Sequence, residues 1–235
     1  MNYVTDKDLF ARLDALLQKG EHKLDDFGGW RGTGTAGLVL EELLGFDPTN
    51  KDGPDSGIWE VKFHSGKSPL TLFHKTPRPD GVMRLLLNEF GWIGKSGRLS
   101  FRHTIWGQTP RGFKVAAVAD RIEVQHEDAE FAMPFWTVDT ILAAFGYKLR
   151  RLIVVHGSVS KSKGTVTFHR AQLHRDPQIT NFIKAILTGK VAIDFDFRAT
   201  DTTALRDHGT KFRINIENLD LIYNKSVLFE RRSTG

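Results

Sequence analysis

The chain contains no cysteine. That absence excludes disulfides, thiolate zinc sites and a cysteine nucleophile, so any bound metal must be held by oxygen or imidazole. No run of about 18 apolar residues occurs, which excludes a transmembrane helix. The first residues, Met1-Asn2-Tyr3-Val4-Thr5-Asp6-Lys7-Asp8, lack the pattern of a signal peptide. A cytoplasmic protein with no membrane partner is expected. Internal repeats and low-complexity segments are also missing. The glycine-rich loop Phe27-Gly28-Gly29-Trp30-Arg31-Gly32-Thr33-Gly34-Thr35 has neither the lysine of a P-loop nor the strand of a dinucleotide fold, so no nucleotide cofactor is expected.

What is present is an ordinary globular composition, 40% hydrophobic and 26% charged over 235 residues, enough for one large domain or two small ones. The formal net charge is +5, with nine histidines in addition. A moderate positive balance favours a polyanionic partner through counterion release.

Apolar spacing predicts a first helix over 5–19, capped by Thr5 and stopped by Gly20, and a second over 36–44, ended by Gly45. A strand bearing Trp59, Glu60, Val61 and Lys62 follows, with 70–74 as its hairpin partner. The segment 82–90 reads as helix or strand. Strands are expected over 100–106, 113–119, 121–126, 152–156, 165–173, 191–198 and 211–216, helices over 138–149 and 177–187, and a last helix from near Asn218. Helices mixed with antiparallel hairpins argue for an α/β or mixed α+β fold with a central mixed sheet. Glycine-rich loops at 91–97 and 158–164 are candidate lobe boundaries.

Charge and pattern coincide at Gly53-Pro54-Asp55-Ser56-Gly57-Ile58-Trp59-Glu60-Val61-Lys62. In a strand, Glu60 and Lys62 share one face while Trp59 and Val61 take the other. Asp55 and Glu60 are hard oxygen ligands suited to Mg²⁺, and Lys62 would stand beside a phosphate, stabilising charge or orienting an attacking water. The competing interpretation is a solvated strand face with an ion pair, entered by an ordinary turn. Upstream, Glu41 and Glu42 sit among Leu38, Val39, Leu40, Leu43 and Leu44. Glu41 is placed to support the same water, unless it belongs to a surface stripe.

Two further regions suit a nucleic acid. Lys67, His74, Lys75 and Arg78 form a phosphate track that would set register without reading sequence, or are solvated surface residues. Downstream, alternation puts Asp194, Asp196 and Arg198 on one face of a strand and Phe195 and Phe197 on the other, followed by Arg206-Asp207-His208-Gly209-Thr210-Lys211-Phe212-Arg213. Arg donates to guanine and Asp accepts from cytosine in the major groove; an internal Asp-Arg ladder is the alternative.

The segment Gly37-Leu38-Val39-Leu40-Glu41-Glu42-Leu43-Leu44-Gly45, followed by Asp55, Glu60 and Lys62, resembles the PD-(D/E)xK nucleases of the MutH-like branch, and within it the MvaI/BcnI family of restriction endonucleases. The late D-x-R strand and H-G-T-x-F-R segment resemble that family's base-reading elements. The resemblance runs from Gly37 to Arg213, and between Gly91 and Gly189 it holds only in general character. It implies a restriction-endonuclease-like core in a single domain over 1–235, with two lobes around a DNA cleft: a catalytic lobe of about 1–90 plus parts of 100–156, and a recognition lobe of about 157–217. It further implies Mg²⁺-dependent hydrolysis of double-stranded DNA, with Mn²⁺ as a substitute. Asp55 and Glu60 would be metal ligands, Lys62 the phosphate-side lysine and Glu41 an accessory acid, while Asp196, Arg198, His208, Arg213 and, nearby, Arg206 would read bases. Short C/G-rich sites, action as a monomer that nicks one strand at a time, 5′-phosphate and 3′-hydroxyl ends, and a cognate methyltransferase that is not a stable subunit complete the expectation. The rivals are a partner-regulated nicking repair endonuclease, a non-catalytic DNA-binding module with a vestigial core, and a basic scaffold without a nucleic-acid role.

Overall fold

A computed structural model describes residues 5–32, 34–46, 54–55, 58–95, 97–200 and 204–230. The Gly53, Ser56 and Gly57 positions of the turn before the strand lie outside the described residues. In chain order the elements are α1 (Asp6–Lys19), β1 (Glu21–Lys23), α2 (Thr35–Leu44), β2 (Glu60–His64), β3 (Leu70–His74), α3 (Val82–Phe90), β4 (Trp92–Ile93), β5 (Leu99–Ile105), β6 (Lys114–Val118), β7 (Arg121–Gln125), β8 (Phe135–Thr137), α4 (Val138–Lys148), β9 (Arg151–Ser160), β10 (Thr165–Pro177), α5 (Ile179–Leu187), β11 (Val191–Ala199), β12 (Leu205–Asp207), β13 (Lys211–Ile214) and β14 (Tyr223–Glu230). Among the described residues no helix is long and apolar enough to cross a membrane.

The chain divides into two compact units, each assembled from separated segments. Unit 1 comprises Met1–Ser68, Tyr147–Pro177 and Tyr223–Gly235. Its sheet is mixed, in the order β1-β10-β9-β2 with β14 also on β10, and β2 pairs in parallel with β9. Thr5 caps α1 through its side chain, which accepts from the Asp8 amide, and Gly20 ends that helix at a positive φ of 75°. Leu9, Leu13, Leu16 and Leu17 of α1 and Val39, Leu40 and Leu44 of α2 bury with Trp59, just before β2, and with Val61, Ile153, Val155 and Phe168 of the sheet. The Trp59 indole also donates to Asp6 at 3.0 Å. Strand β9 is apolar without alternation, Leu152 to Val155 all buried, as a strand paired on both sides and covered on both faces requires.

Unit 2 comprises Pro69–Gly146 and Gln178–Ile222. A six-stranded antiparallel sheet, β3-β13-β11-β5-β4 with β12 on β11, accompanies a three-stranded sheet β6-β7-β8. Its core is aromatic: Phe101 stacks on Phe197, Phe73 on Phe212, and Phe145 on Phe182 at 4.0 Å between ring centroids.

Two expectations change, and one left open is resolved. Leu70–His74 is not the hairpin partner of β2; it pairs with β13, and β2 pairs in parallel with β9. A period-two pattern identifies a strand but not its neighbour, and the chain leaves unit 1 between the two strands. The segment 82–90 is a helix, α3, burying Val82, Met83, Leu86 and Leu87. The expected last helix is a short 3₁₀ turn, Ile216–Leu221, followed by β14, an edge strand whose Val227 and Leu228 both stay exposed and so carry no clear alternation. The units also divide the chain elsewhere than the expected lobe limits: 69–90 belongs to unit 2, and the 158–164 loop is a hairpin turn between β9 and β10 inside unit 1.

Candidate active site

Helix α2 ends at Gly45, whose left-handed φ of 78° no β-carbon disturbs. Its apolar stripe faces the core, which leaves Glu42 exposed and Glu41 half-buried. Asp55 Oδ2 accepts from the amide of Val61 at 2.8 Å, tying the turn to β2. Glu60 opens β2 on the polar face, yet is only 2% exposed. Its Oε1 accepts from Lys62 Nζ at 2.7 Å and lies 3.6 Å from Lys148 Nζ at the end of α4. Its Oε2 is buried and has no hydrogen-bond partner among the described residues. The carbonyl of Leu149, directly after Lys148, accepts from the buried Tyr223 hydroxyl at 2.8 Å.

The three carboxyls feel one another. Burial, then the charges of Asp55 and Glu60, pushes Glu41 up to about 7, against the opposing pull of Lys62 and Lys148. Burial likewise raises Asp55, opposed by the Val61 amide and both lysines, and raises Glu60, opposed first by Lys62. Desolvation disfavours a carboxylate unless a cation compensates it. Burial also holds the Tyr223 phenol well above its usual range, with the Glu60 charge adding to the effect.

These residues fit a divalent cation of the hard class. Among the described residues no group of three or more His, Cys, Asp or Glu is arranged to hold a metal, but Mg²⁺ ordinarily takes one or two carboxylates and fills its remaining positions with water and phosphate oxygens. Asp55 and Glu60 could supply that pair, and Glu60 Oε2, without a partner among the described residues, is the oxygen that a cation would satisfy. Mn²⁺ makes the same demands on ligand type.

The four track residues are distributed over both units. Lys67 is exposed in the turn after β2 in unit 1. In unit 2, His74 is exposed at the end of β3 and Arg78 pairs with Asp80. Lys75 joins through its backbone, its amide donating to the Thr210 carbonyl and its carbonyl accepting from the Trp136 indole.

In the sheet of unit 2, Asp194, Asp196 and Arg198 share one face of β11, as alternation requires, while Phe195 and Phe197 fill the aromatic core. Asp194 is buried, accepting from Thr104 at 2.6 Å and Arg213 at 3.2 Å; Arg213 also donates to the Pro69 carbonyl at 2.9 Å. The Asp-Arg ladder therefore exists at Asp194. Asp196 lies between Arg102, 3.1 Å away as an ion pair, and Lys211 at 3.4 Å. Arg198 stands opposite Arg206 in the β11–β12 register, and its Nε is buried without a partner among the described residues. Arg206 and His208 are exposed, and the His208 amide donates to the Asp196 carbonyl at 3.0 Å.

Sequence reasoning missed Lys148, Tyr223, Arg102 and Lys211. Lys211 occupies the variable position of the H-G-T-x-F-R segment and was visible there. Lys148 closes α4 as the basic residue of its last turn, which reads locally as a favourable interaction with the helix dipole; only the return of β9 beside β2 connects it with Glu60.

No protein of curated function matches the chain. Among solved structures it is similar to the restriction endonuclease MvaI in complex with cognate DNA, at 24% identity and a TM-score of 0.78, over 95% of this chain and 98% of that one. It is also similar to MvaI in the absence of DNA, at 23% identity and a TM-score of 0.55, over 97% and 98%. The sequence model of the MvaI/BcnI restriction endonuclease family matches residues 18–223. The chain thus belongs to the MvaI/BcnI restriction endonuclease family, and is a type II, sequence-specific DNA endonuclease.

Proposed function

We propose that this endonuclease hydrolyses DNA phosphodiesters at the carboxylate cluster of unit 1, with Asp55 and Glu60 holding Mg²⁺. The observation that carries the proposal is the buried Glu60, with one oxygen engaged by Lys62 and Lys148 and the other unpartnered beside Asp55 and Glu41. When bound, the cation supplies charge neutralisation at the phosphate and makes a water more acidic. Lys62 donates to a non-bridging phosphate oxygen and helps orient the attacking water. Glu41, poised near neutrality, accepts a proton from that water. The new bond joins the water oxygen to phosphorus, the bond from phosphorus to the 3′ oxygen breaks, and that oxygen takes a proton, leaving 5′-phosphate and 3′-hydroxyl ends.

MvaI has been captured with its cognate DNA, and the polar face of β11 suits the same kind of partner. Asp196, Arg198, Arg206 and His208 carry base-edge donors and acceptors, with Arg213 bracing the face through Asp194. Lys67, His74, Lys75 and Arg78 contact phosphates. A short C/G-rich double-stranded site, cut by a monomer one strand at a time in a cytoplasm where a methyltransferase protects the host, fits this chemistry.

The test is to incubate purified protein with plasmid DNA and Mg²⁺, then sequence the ends. Discrete ends at one short site are expected, abolished by Asp55→Ala with DNA binding retained. Cleavage that persists in Asp55→Ala, or no cleavage of any tested DNA, overturns the assignment.

A further inference from the structure

The polar face of β2 continues beyond the carboxylate cluster. His64 lies two residues past Lys62 and so on the same side, and the parallel register sets His156 of β9 directly beside it. The imidazoles meet edge to face, with centroids 5.5 Å apart and planes at 77°. His64 Nε2 is 2.9 Å from the Ser68 carbonyl oxygen, which can only accept, so this nitrogen carries the proton. His156 Nε2 is 2.8 Å from the Gln172 amide oxygen and is assigned the same tautomer. Both Nδ1 lone pairs are left over, and among the described residues neither meets a donor.

A metal-binding imidazole characteristically donates its far N–H to an oxygen, which fixes the tautomer and turns the other nitrogen toward the metal. Here that outer shell is already built on both rings. Two imidazoles sharing a tetrahedral cation at about 2.0–2.1 Å from each nitrogen stand roughly 5 Å apart between centroids, close to the spacing observed. Burial lowers the pKa of His156, with Arg170 and His64 adding to it against the opposing Gln172 hydrogen bond, which favours the neutral, ligating form. Arg170, opposite His156 in the β10 register, and Lys62 oppose a bare cation; water or an anion in the open coordination positions would offset them.

We propose that His64 and His156 chelate a borderline transition-metal cation such as Zn²⁺ through their Nδ1 atoms, at a site separate from Asp55 and Glu60. Imidazole suits Zn²⁺, Ni²⁺ and Cu²⁺, whereas carboxylates suit Mg²⁺ and Mn²⁺, so the two sites sort cations by class. Four residues of strand separate His64 from Glu60, about 13 Å. The open positions face the same side as Lys62, where a phosphate oxygen can enter.

The probe is Zn²⁺ itself, titrated calorimetrically into the full chain at pH 7.5 without Mg²⁺. One saturable equivalent is expected both in the wild-type protein and in Glu60→Gln. His64→Asn and His156→Asn should each weaken binding by about tenfold or more, and the double variant should abolish it. Ring ¹⁵N shifts of the wild-type protein with Zn²⁺ should show two histidines coordinated at Nδ1, a readout that survives if a variant fails to fold. Absence of saturable binding, coordination through Nε2, unchanged binding in the double variant, or loss in Glu60→Gln alone each overturns the proposal. No cleavage is measured, so an error in the assigned cutting mechanism leaves the result unaffected.

Discussion

Lys148 Nζ stands 3.6 Å from Glu60 Oε1, the oxygen that Lys62 engages at 2.7 Å, so one buried carboxylate is shared by lysines from two distant parts of the chain. A carboxylate with a single compensating cation in such a place leans toward its neutral form and binds metal less well. Lys148→Ala should lower the Mg²⁺-dependent turnover by about ten- to a hundredfold, or roughly 1.4–2.7 kcal/mol, and shift half-maximal activation to higher Mg²⁺. DNA affinity should change little. Unchanged turnover and Mg²⁺ dependence would reduce Lys148 to an incidental cation.

The carboxylate cluster works against the stability of the metal-free protein. Glu41 is raised to about 7 when folded, against about 4.3 in an unfolded chain, so the folded state holds its proton more tightly. Below the unfolded value both states are protonated and nothing is lost. As pH climbs from there toward 7 the unfolded chain ionises first, and stability falls. Glu41→Gln removes that penalty. After allowing for the partial exposure of Glu41, a gain of about 1 kcal/mol, or roughly 2–4 °C in Tm at pH 8, is expected without metal. Cleavage should fall by about tenfold or more. A lowered Tm would mean that Glu41 packs rather than repels.

Arg198 brings an Nε without a partner among the described residues to a face that also holds Arg206. Arg198→Ala should weaken binding to the cleaved site by about 1–3 kcal/mol and relax the choice of base at one position, with non-specific binding affected less. Equal loss on cognate and random duplexes would assign it to phosphate instead.

Asp194 and Arg213 support that face from within the sheet. Arg213→Ala strips a buried carboxylate of its cation and leaves the Pro69 carbonyl without its donor. We expect a loss of about 2–3 kcal/mol in a denaturant titration, below the range for a fully buried pair because Arg213 keeps some water. Asp194→Asn with Arg213→Gln should recover part of it. A loss under 0.5 kcal/mol would remove the bracing role.

Local signals in the sequence were read well where the physics is local. Thr5 and Gly20 bound α1, Gly45 ends α2, and alternation placed Phe195 and Phe197 inside with Asp194, Asp196 and Arg198 on the other face. Of two adjacent glutamates, the one expected near Asp55 is the one that is half-buried there. What escaped depends on pairing between distant segments. Leu70–His74 has the same pattern whether it neighbours β2 or β13, and the exposed Val227 and Leu228 of β14 hide its strand. Lys148 reaches Glu60 only because β9 comes back parallel to β2, and no spacing within either segment encodes that contact. Asp194 illustrates the reverse: its face was legible, but not that its carboxylate is already taken by Thr104 and Arg213.

The parallel pairing of β2 with β9 also sets an order of events during synthesis. Glu60 and Lys62 leave the ribosome early, but their only ladder partner among the described residues begins at Leu152, after a stretch belonging almost wholly to the other unit. Pairing across so long a gap is slow, because loop closure must precede any gain from the contact. Lys148 emerges just ahead of β9, so both lysines and all the carboxylates can meet only when most of the chain has been made. A nascent or truncated chain therefore carries Glu60 and Lys62 without Lys148 and the strand that β2 pairs with, and the carboxylate cluster is assembled only once β9 has joined β2.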